Sequence, residues 1–211
     1  QGIGEGFATV AIADGRIYTA GNVNGQTMIT ALDTNGKSLW QVPNGAAWTG
    51  SQPGSRGTPT IAGDRLYHEG PLGDVVCLDA RSGRKIWGLN LLQQFGAENI
   101  TWALAESLLI DGDRLICCPG GPQTAVVALD QRSGQTVWKS PSAGGDRAGY
   151  ASPALAVHEG LRMILTMTSR HAIAVNADNG DLLWQFEHVT PWDENILSPL
   201  FHDGHVFIST G

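Results

Sequence analysis

Apolar residues along the chain gather into short β-type runs broken by polar, glycine-containing turns. Five times, two such runs flank a tight turn: Thr9 to Tyr18 around Asp14-Gly15, Thr60 to Tyr67 around Gly63-Asp64, Leu108 to Ile116 around Asp111-Gly112, Leu155 to Leu165 around Glu159-Gly160, and Leu200 to Ile208 around Asp203-Gly204. Runs joined in this way predict antiparallel hairpins, because these turn residues tolerate the backbone of a two-residue connection. No segment sustains apolar spacing at 3.6 residues over a helix length. The nearest helical candidate, Leu89 to Leu108, reads as a long loop with one helical turn.

A second pattern follows each of the first four hairpins. Ala31-Leu32-Asp33 leads through Gly36 to Trp40, Cys77-Leu78-Asp79 through Gly83 to Trp87, Ala128-Leu129-Asp130 through Gly134 to Trp138, and Val175-Asn176 through Gly180 to Trp184. The tryptophans recur at intervals of 47, 51 and 46 residues. Each unit reads as strand, tight turn, strand, loop, strand, Asp-x-x-x-Gly turn and a strand carrying Trp, which is one four-stranded propeller blade. The turn Asp or Asn accepts backbone N–H bonds, Gly supplies positive φ, and Trp is expected between neighbouring blades. Burying an indole of about 150 to 250 Å² contributes roughly 4 to 6 kcal/mol of gross hydrophobic gain. The predicted fold is an all-β, partial β-propeller of about 4.5 blades in one domain, 1–211, with blades at 7–41, 57–88, 106–139 and 151–185 and a half blade at 197–211. The last hairpin has no third strand or Trp, and the start of the chain does not complement it. Open blade edges of this kind predict further blades in the natural protein or pairing of arcs.

Composition narrows the partners. The 211 residues are 42% apolar and 16% charged, enough for a real core. Twenty acidic against 13 basic residues give a net charge of -7 without a basic cluster, which argues against nucleic acid. No apolar run approaches the roughly 20 residues of a membrane span, and Gln1-Gly2-Ile3-Gly4 lacks the charged and apolar regions of a signal peptide. Cys77, Cys117 and Cys118 are an odd number, so they cannot close a disulfide framework.

The repeat resembles that of the PQQ-repeat β-propellers, whose blades carry Ala-x-Asp-x-x-x-Gly-x-x-x-Trp after a Ser-Pro or Thr-Pro strand start. Thr58-Pro59, Ser152-Pro153 and Ser198-Pro199 match that start, and four repeats cover nearly the whole chain. The first repeat is one residue short between Asp33 and Trp40, and the fourth has Asn176 for Asp. The resemblance implies an eight-bladed ring outside the cytoplasm, periplasmic or secreted. It implies one of two roles: a quinoprotein alcohol dehydrogenase, including the polyvinyl-alcohol type, using PQQ with calcium, or a noncatalytic relative of the outer-membrane assembly lipoprotein BamB, with a protein partner. No calcium ligand or catalytic Asp of those dehydrogenases carries over residue by residue. Their adjacent cysteines form a disulfide in a loop against the cofactor, whereas Cys117-Cys118 ends a predicted strand, where neighbouring side chains point apart and free thiols are expected.

The four loops that follow the Trp strands are long, at 41–57, 88–105, 139–151 and 185–197, and they share one end of the blades, the default place for a site. They hold Trp48, Trp102 and Trp192, the three tryptophans outside the repeat, and Tyr150. These four aromatics either line a site for a planar cofactor or a partner's peptide, or pin each loop to the neighbouring blade. Arg56, Asp146, Arg147, Asp193 and Glu194 lie in the same loops, as anchors for a charged ligand or as solvated side chains. His202 and His205 flank a turn without a third ligand, and Asp111-Gly112-Asp113 lacks the remaining ligands of a calcium loop.

Overall fold

A computed structural model describes residues 2–209. Strands β1 (Ala11–Ala13), β2 (Arg16–Val23), β3 (Gln26–Asp33) and β4 (Ser38–Ala46) form the first sheet. The second holds β5 (Thr60–Ala62), β6 (Arg65–Glu69), β7 (Asp74–Asp79) and β8 (Lys85–Asn90), followed by the short helix α1 (Leu91–Phe95) within the segment expected to make one helical turn. The third holds β9 (Leu109–Asp111), β10 (Arg114–Cys117), β11 (Val127–Asp130) and β12 (Thr136–Lys139), and the fourth β13 (Ala154–His158), β14 (Leu161–Met167), β15 (His171–Asn176) and β16 (Leu182–Glu187). A hairpin of β17 (Leu200–His202) and β18 (His205–Phe207) follows. Every sheet is an antiparallel meander in chain order, so the five predicted hairpins and four Trp strands fall where the pattern places them.

The chain divides into two compact units, Gln1–Leu91 with Thr101–Leu108, and Leu92–Ile100 with Leu109–Gly211. Residues 210 and 211 of the expected half blade lie outside the described residues. Strand ends also differ from the expected blade limits. The first strand begins at Ala11 and not near Phe7, while Glu5 and Gly6 make isolated bridges to Asn22 and Ser55. Strand β4 runs on to Ala46 because it stays paired with β3 as far as Gln26, which shortens the loop expected from Gln41.

Middle strands are continuous apolar runs because both their faces are covered. In the first unit, Leu66 and Leu78 join Tyr18, Ile29 and Ala31 in one layer between the first and second sheets. In the second unit, Ile164, Ile173 and Val175 meet Ile116 and Ala128 of the third sheet. The alternate positions Met163, Leu165 and Ala174 turn to Phe201 and Val206 of the last hairpin. Period-two alternation thus feeds two cores from one sheet.

Within each unit the repeat residues join neighbouring sheets, the first to the second and the third to the fourth. Trp40 Nε1 donates to Ala80 O and Trp138 Nε1 to Ala177 O, both at 3.2 Å. The same indoles lie over Gly83 and Gly180 of the following turns. Within the turns, Asp79 Oδ1 accepts from Ser82 N and Oγ, Asp130 Oδ1 from Ser133 N and Oγ, and Asn176 Oδ1 from Asp178 N. The missing residue of the first repeat is absorbed in its turn, where Asp33 N bonds Lys37 O while Asp79 N bonds Arg84 O. A bulge before each Trp strand preserves the register, so Trp40 still opposes Ala31 as Trp87 opposes Cys77. Between the third and fourth sheets, Asp111 pairs with Arg162 in addition to closing its own hairpin.

Candidate functional site

Antiparallel order sends the β14–β15 connection and the segment after β16 to the same end of the fourth sheet, and the loop after β12 meets them there. Ser169 N donates to Arg147 O, Asn195 Nδ2 to Thr168 O and Ser169 O, and Tyr150 N to Asn195 O. Asp146, Arg147, Tyr150, Asp193 and Glu194 are therefore drawn to one place, with Trp192 among them.

Asp146 is 8% exposed. Its Oδ2 accepts from Thr168 Oγ1 at 2.6 Å, His171 Nδ1 at 2.8 Å and Arg170 N at 3.2 Å. Of the two readings of this loop charge, ligand anchor or solvated side chain, the solvated one does not describe Asp146, since three converging donors replace the water a buried carboxylate loses. A carboxylate oxygen only accepts, so His171 Nδ1 is the donor in this contact. Beside this pair, Arg147 lies 3.8 Å from Asp193.

Trp192 follows Pro191 in a single 3₁₀ turn, and its backbone and that of Asp193 are left-handed, at φ 65° and 56°. Asn195, wholly buried, holds the turn from beneath by donating to Thr168 O, Ser169 O and His188 O. Trp192 is nevertheless 78% exposed, and Val189, Ile196 and Leu197 around it are exposed too. This indole is not pinned onto its sheet. Glu194 is half-buried, with its backbone N–H on Pro191 O.

The first unit behaves differently. Trp48 Nε1 donates to Ser51 O, and the indole lies against Gly50, so it ties its own loop together. Arg56 donates to Gly54 O and Gln52 O and places its guanidinium 5.2 Å from the Phe7 ring centroid. Trp102 is half-buried in the segment 101–108.

Sequence reasoning missed a buried polar group at the end of β6. Asn44 Nδ2 donates to His68 Nδ1 at 2.9 Å, leaving the Nε2 proton for Ser55 Oγ at 3.3 Å. Burial pushes His68 down to about 4, so the ring is neutral at physiological pH. Beside it, Glu69 and Glu106 are 3% and 4% exposed. Burial, and then the charge of Glu106, hold the Glu69 carboxyl well above the usual carboxylate range. His171, Thr168 and Asn195 were also missed. The polar run Thr168-Ser169-Arg170-His171 between two apolar strands was their one visible signal.

Among the described residues, no three His, Cys, Asp or Glu side chains are grouped to hold a metal ion. Cys117 and Cys118 are buried free thiols, and Cys118 Sγ, just past β10, lies 3.7 Å from Thr166 Oγ1 of β14. His202 and His205 stay at the surface, where His205 Nδ1 bonds Asp203 O.

A family model described as outer membrane protein assembly factor BamB matches residues 3–158 and 122–211. No curated protein matches the chain. Among solved structures, BamB from Moraxella catarrhalis is similar at 18% identity and a TM-score of 0.61, over 96% of this chain and 57% of that one. Quinohaemoprotein alcohol dehydrogenases from Pseudomonas putida HK5 and Comamonas testosteroni are similar at 14% and 13% identity, each with a TM-score of 0.59. They align over 97% and 93% of this chain and 38% and 37% of their own. The chain thus spans little more than half of the first of these relatives, and the likeness establishes an all-β propeller of four-stranded blades.

Proposed function

Because the chain belongs to the PQQ-repeat family described as outer membrane protein assembly factor BamB, we propose that it is a noncatalytic propeller module, outside the cytoplasm, that holds a protein partner on the loop end of its fourth sheet. The observation that carries this reading is Trp192. A left-handed backbone at two successive non-glycine residues costs of order 1 to 3 kcal/mol each and persists only where neighbours enforce it. Here Asn195, Arg147 and the Asp146 group enforce it, and the product is an exposed indole on a rigid base. Rigid aromatic anchors with apolar neighbours are what protein interfaces use as hot spots, because little ordering entropy is left to lose on binding.

A photo-crosslinking residue at position 192 tests the proposal in cells. Discrete protein adducts are expected there and none with the same residue at position 179, in the turn at the opposite end of the sheet. For the partner so identified, Trp192→Ala should weaken binding by about thirtyfold, the scale of a hot-spot truncation. Identical adducts at both positions, or unchanged affinity, would count against this site.

The alternative is that the chain forms part of a PQQ-dependent alcohol dehydrogenase, and the shared fold of the two quinohaemoproteins favours it. We expect purified protein mixed with PQQ and calcium to show neither bound-cofactor absorbance nor alcohol-dependent dye reduction; either signal would move the assignment to the enzyme. In both readings the exposed Val10 and Ile12 of one unit, and Leu200 and Phe207 of the other, are surfaces for further blades or a second copy of the chain.

A further inference from the structure

A strand at the edge of a sheet leaves the N–H and C=O of every second residue without a ladder partner, and chains blunt such edges with short strands, Pro or Lys. In the four-stranded sheets, the edge strands β1, β5 and β9 are three residues long. On the opposite edges, β4 carries Pro43, β8 Lys85 and β12 Lys139. Strand β16, Leu-Leu-Trp-Gln-Phe-Glu, has six residues with neither Pro nor Lys, and exceeds β13, the five-residue edge on the other side of the same sheet.

The ladder fixes which groups of β16 face outward. His188 N donates to Arg170 O at 2.7 Å, and hydrogen-bonded pairs alternate with non-bonded ones along an antiparallel pair. Counting from that pair, Phe186 and Trp184, opposite Ala172 and Ala174, bond to β15, while Gln185 and Glu187 turn both backbone groups away from it. Among the described residues, neither of these two makes a backbone bond beyond its own sheet.

The side chains give this edge two unlike faces. Trp184 packs with Phe201 and Val206 of the last hairpin, and Phe186, two residues on along the same face, is 61% exposed. Gln185 and Glu187 are exposed on the other face. Residues 177–187 carry Asp178, Asp181 and Glu187 but no Lys or Arg. Asp178 is met by Arg114 and Arg162, Asp181 by no cation among the described residues, and Glu187 by Arg170 at 3.7 Å on the surface.

We propose that the edge of β16 receives an extended segment of the partner protein as an added strand, with apolar side chains beside Phe186 and lysine or arginine beside Glu187. The segment supplies acceptors to the N–H groups and donors to the C=O groups of Gln185 and Glu187, as main-chain pairing requires. Strand β16 runs directly into the 188–197 turn, so the same partner meets the exposed Val189 and Trp192 beyond the strand's end. The inference rests on the reading of that turn as a protein-binding site, and adds the form and charge of the bound segment.

A short capped peptide alternating lysine with valine, added to the isotopically labelled full chain, tests this by NMR. At about ten times its Kd, amide exchange at Gln185 and Glu187 should slow about tenfold, while the amides of β12 keep their rates. Gln185→Pro removes an outward N–H that β15 does not use, as Pro43 already does in β4, and should weaken binding by at least about tenfold. Methylating the peptide's own amides, at the lysines or at the valines, leaves the protein untouched and should abolish binding in one of the two versions, since only one set faces β16. Glutamate in place of lysine should weaken binding by at least about tenfold. No binding, equal slowing in β12 and β16, full affinity of both methylated peptides, or indifference to the charge swap would each overturn the added strand. Trp192→Ala separates the two readings: binding lost in this variant alone leaves the anchor and overturns the strand, whereas binding lost in Gln185→Pro alone supports the strand and counts against Trp192.

Discussion

Trp138→Ala should lower the midpoint of thermal unfolding by about 10 °C, on the basis of roughly 3 to 5 kcal/mol for emptying a buried indole site in a chain of this size. The indole fills the layer that joins the third and fourth sheets, donates to Ala177 O, and lies on the turn glycine of the next sheet. Gly180→Ala attacks the same joint from the other side. At φ +81° an added Cβ would come within 2.6 Å of Trp138 Cε3, so backbone strain and overpacking add to about 2 to 5 kcal/mol. Gly36→Ala is the control. It has the same φ of +81° with nothing within 4 Å, leaving only the backbone penalty of about 1 to 2 kcal/mol. Calorimetry of the three variants checks the order; equal losses at Gly36 and Gly180 would mean that the turn glycine serves the backbone alone.

Asp146→Ala should cost about 3 kcal/mol, because it leaves Thr168, His171 and the Arg170 N–H without their acceptor in a buried place. The loss should be local as well as global. The 188–197 turn rests on the 168–170 connection through Asn195, so limited proteolysis should cut near Trp192 in the variant and spare it in the wild type. His171→Ala removes one donor of three and should cost about 1 kcal/mol. A chain that keeps the turn protected without Asp146 would place the support of Trp192 in Asn195 alone.

The blades were legible in the sequence because their causes are local. Asp79 and Asp130 take donors no more than three residues away, and the hairpin turns are set by residues that accept positive φ. Even the short first repeat is a local matter, resolved inside one turn. The loops were legible only as loops. Asp146 and Arg147 look like ordinary solvated charges, and nothing near them in sequence announces His171, 25 residues on, or Asn195, 27 residues beyond Thr168. Trp48 and Trp192 occupy comparable places in the pattern, yet one ties its own loop together and the other stands exposed.

By itself, then, the sequence determined the antiparallel blades, their Asp-to-Gly turns, the tryptophans that join them and the end of each sheet where long loops collect, since period-two burial and turn chemistry act over a few residues. Tertiary structure alone decided which loop charge is buried, which tryptophan is presented, and that Glu69 and Glu106 face each other. These depend on segments tens of residues apart meeting in one dry place, where the energy of a polar group is set by whatever donor or charge arrives beside it.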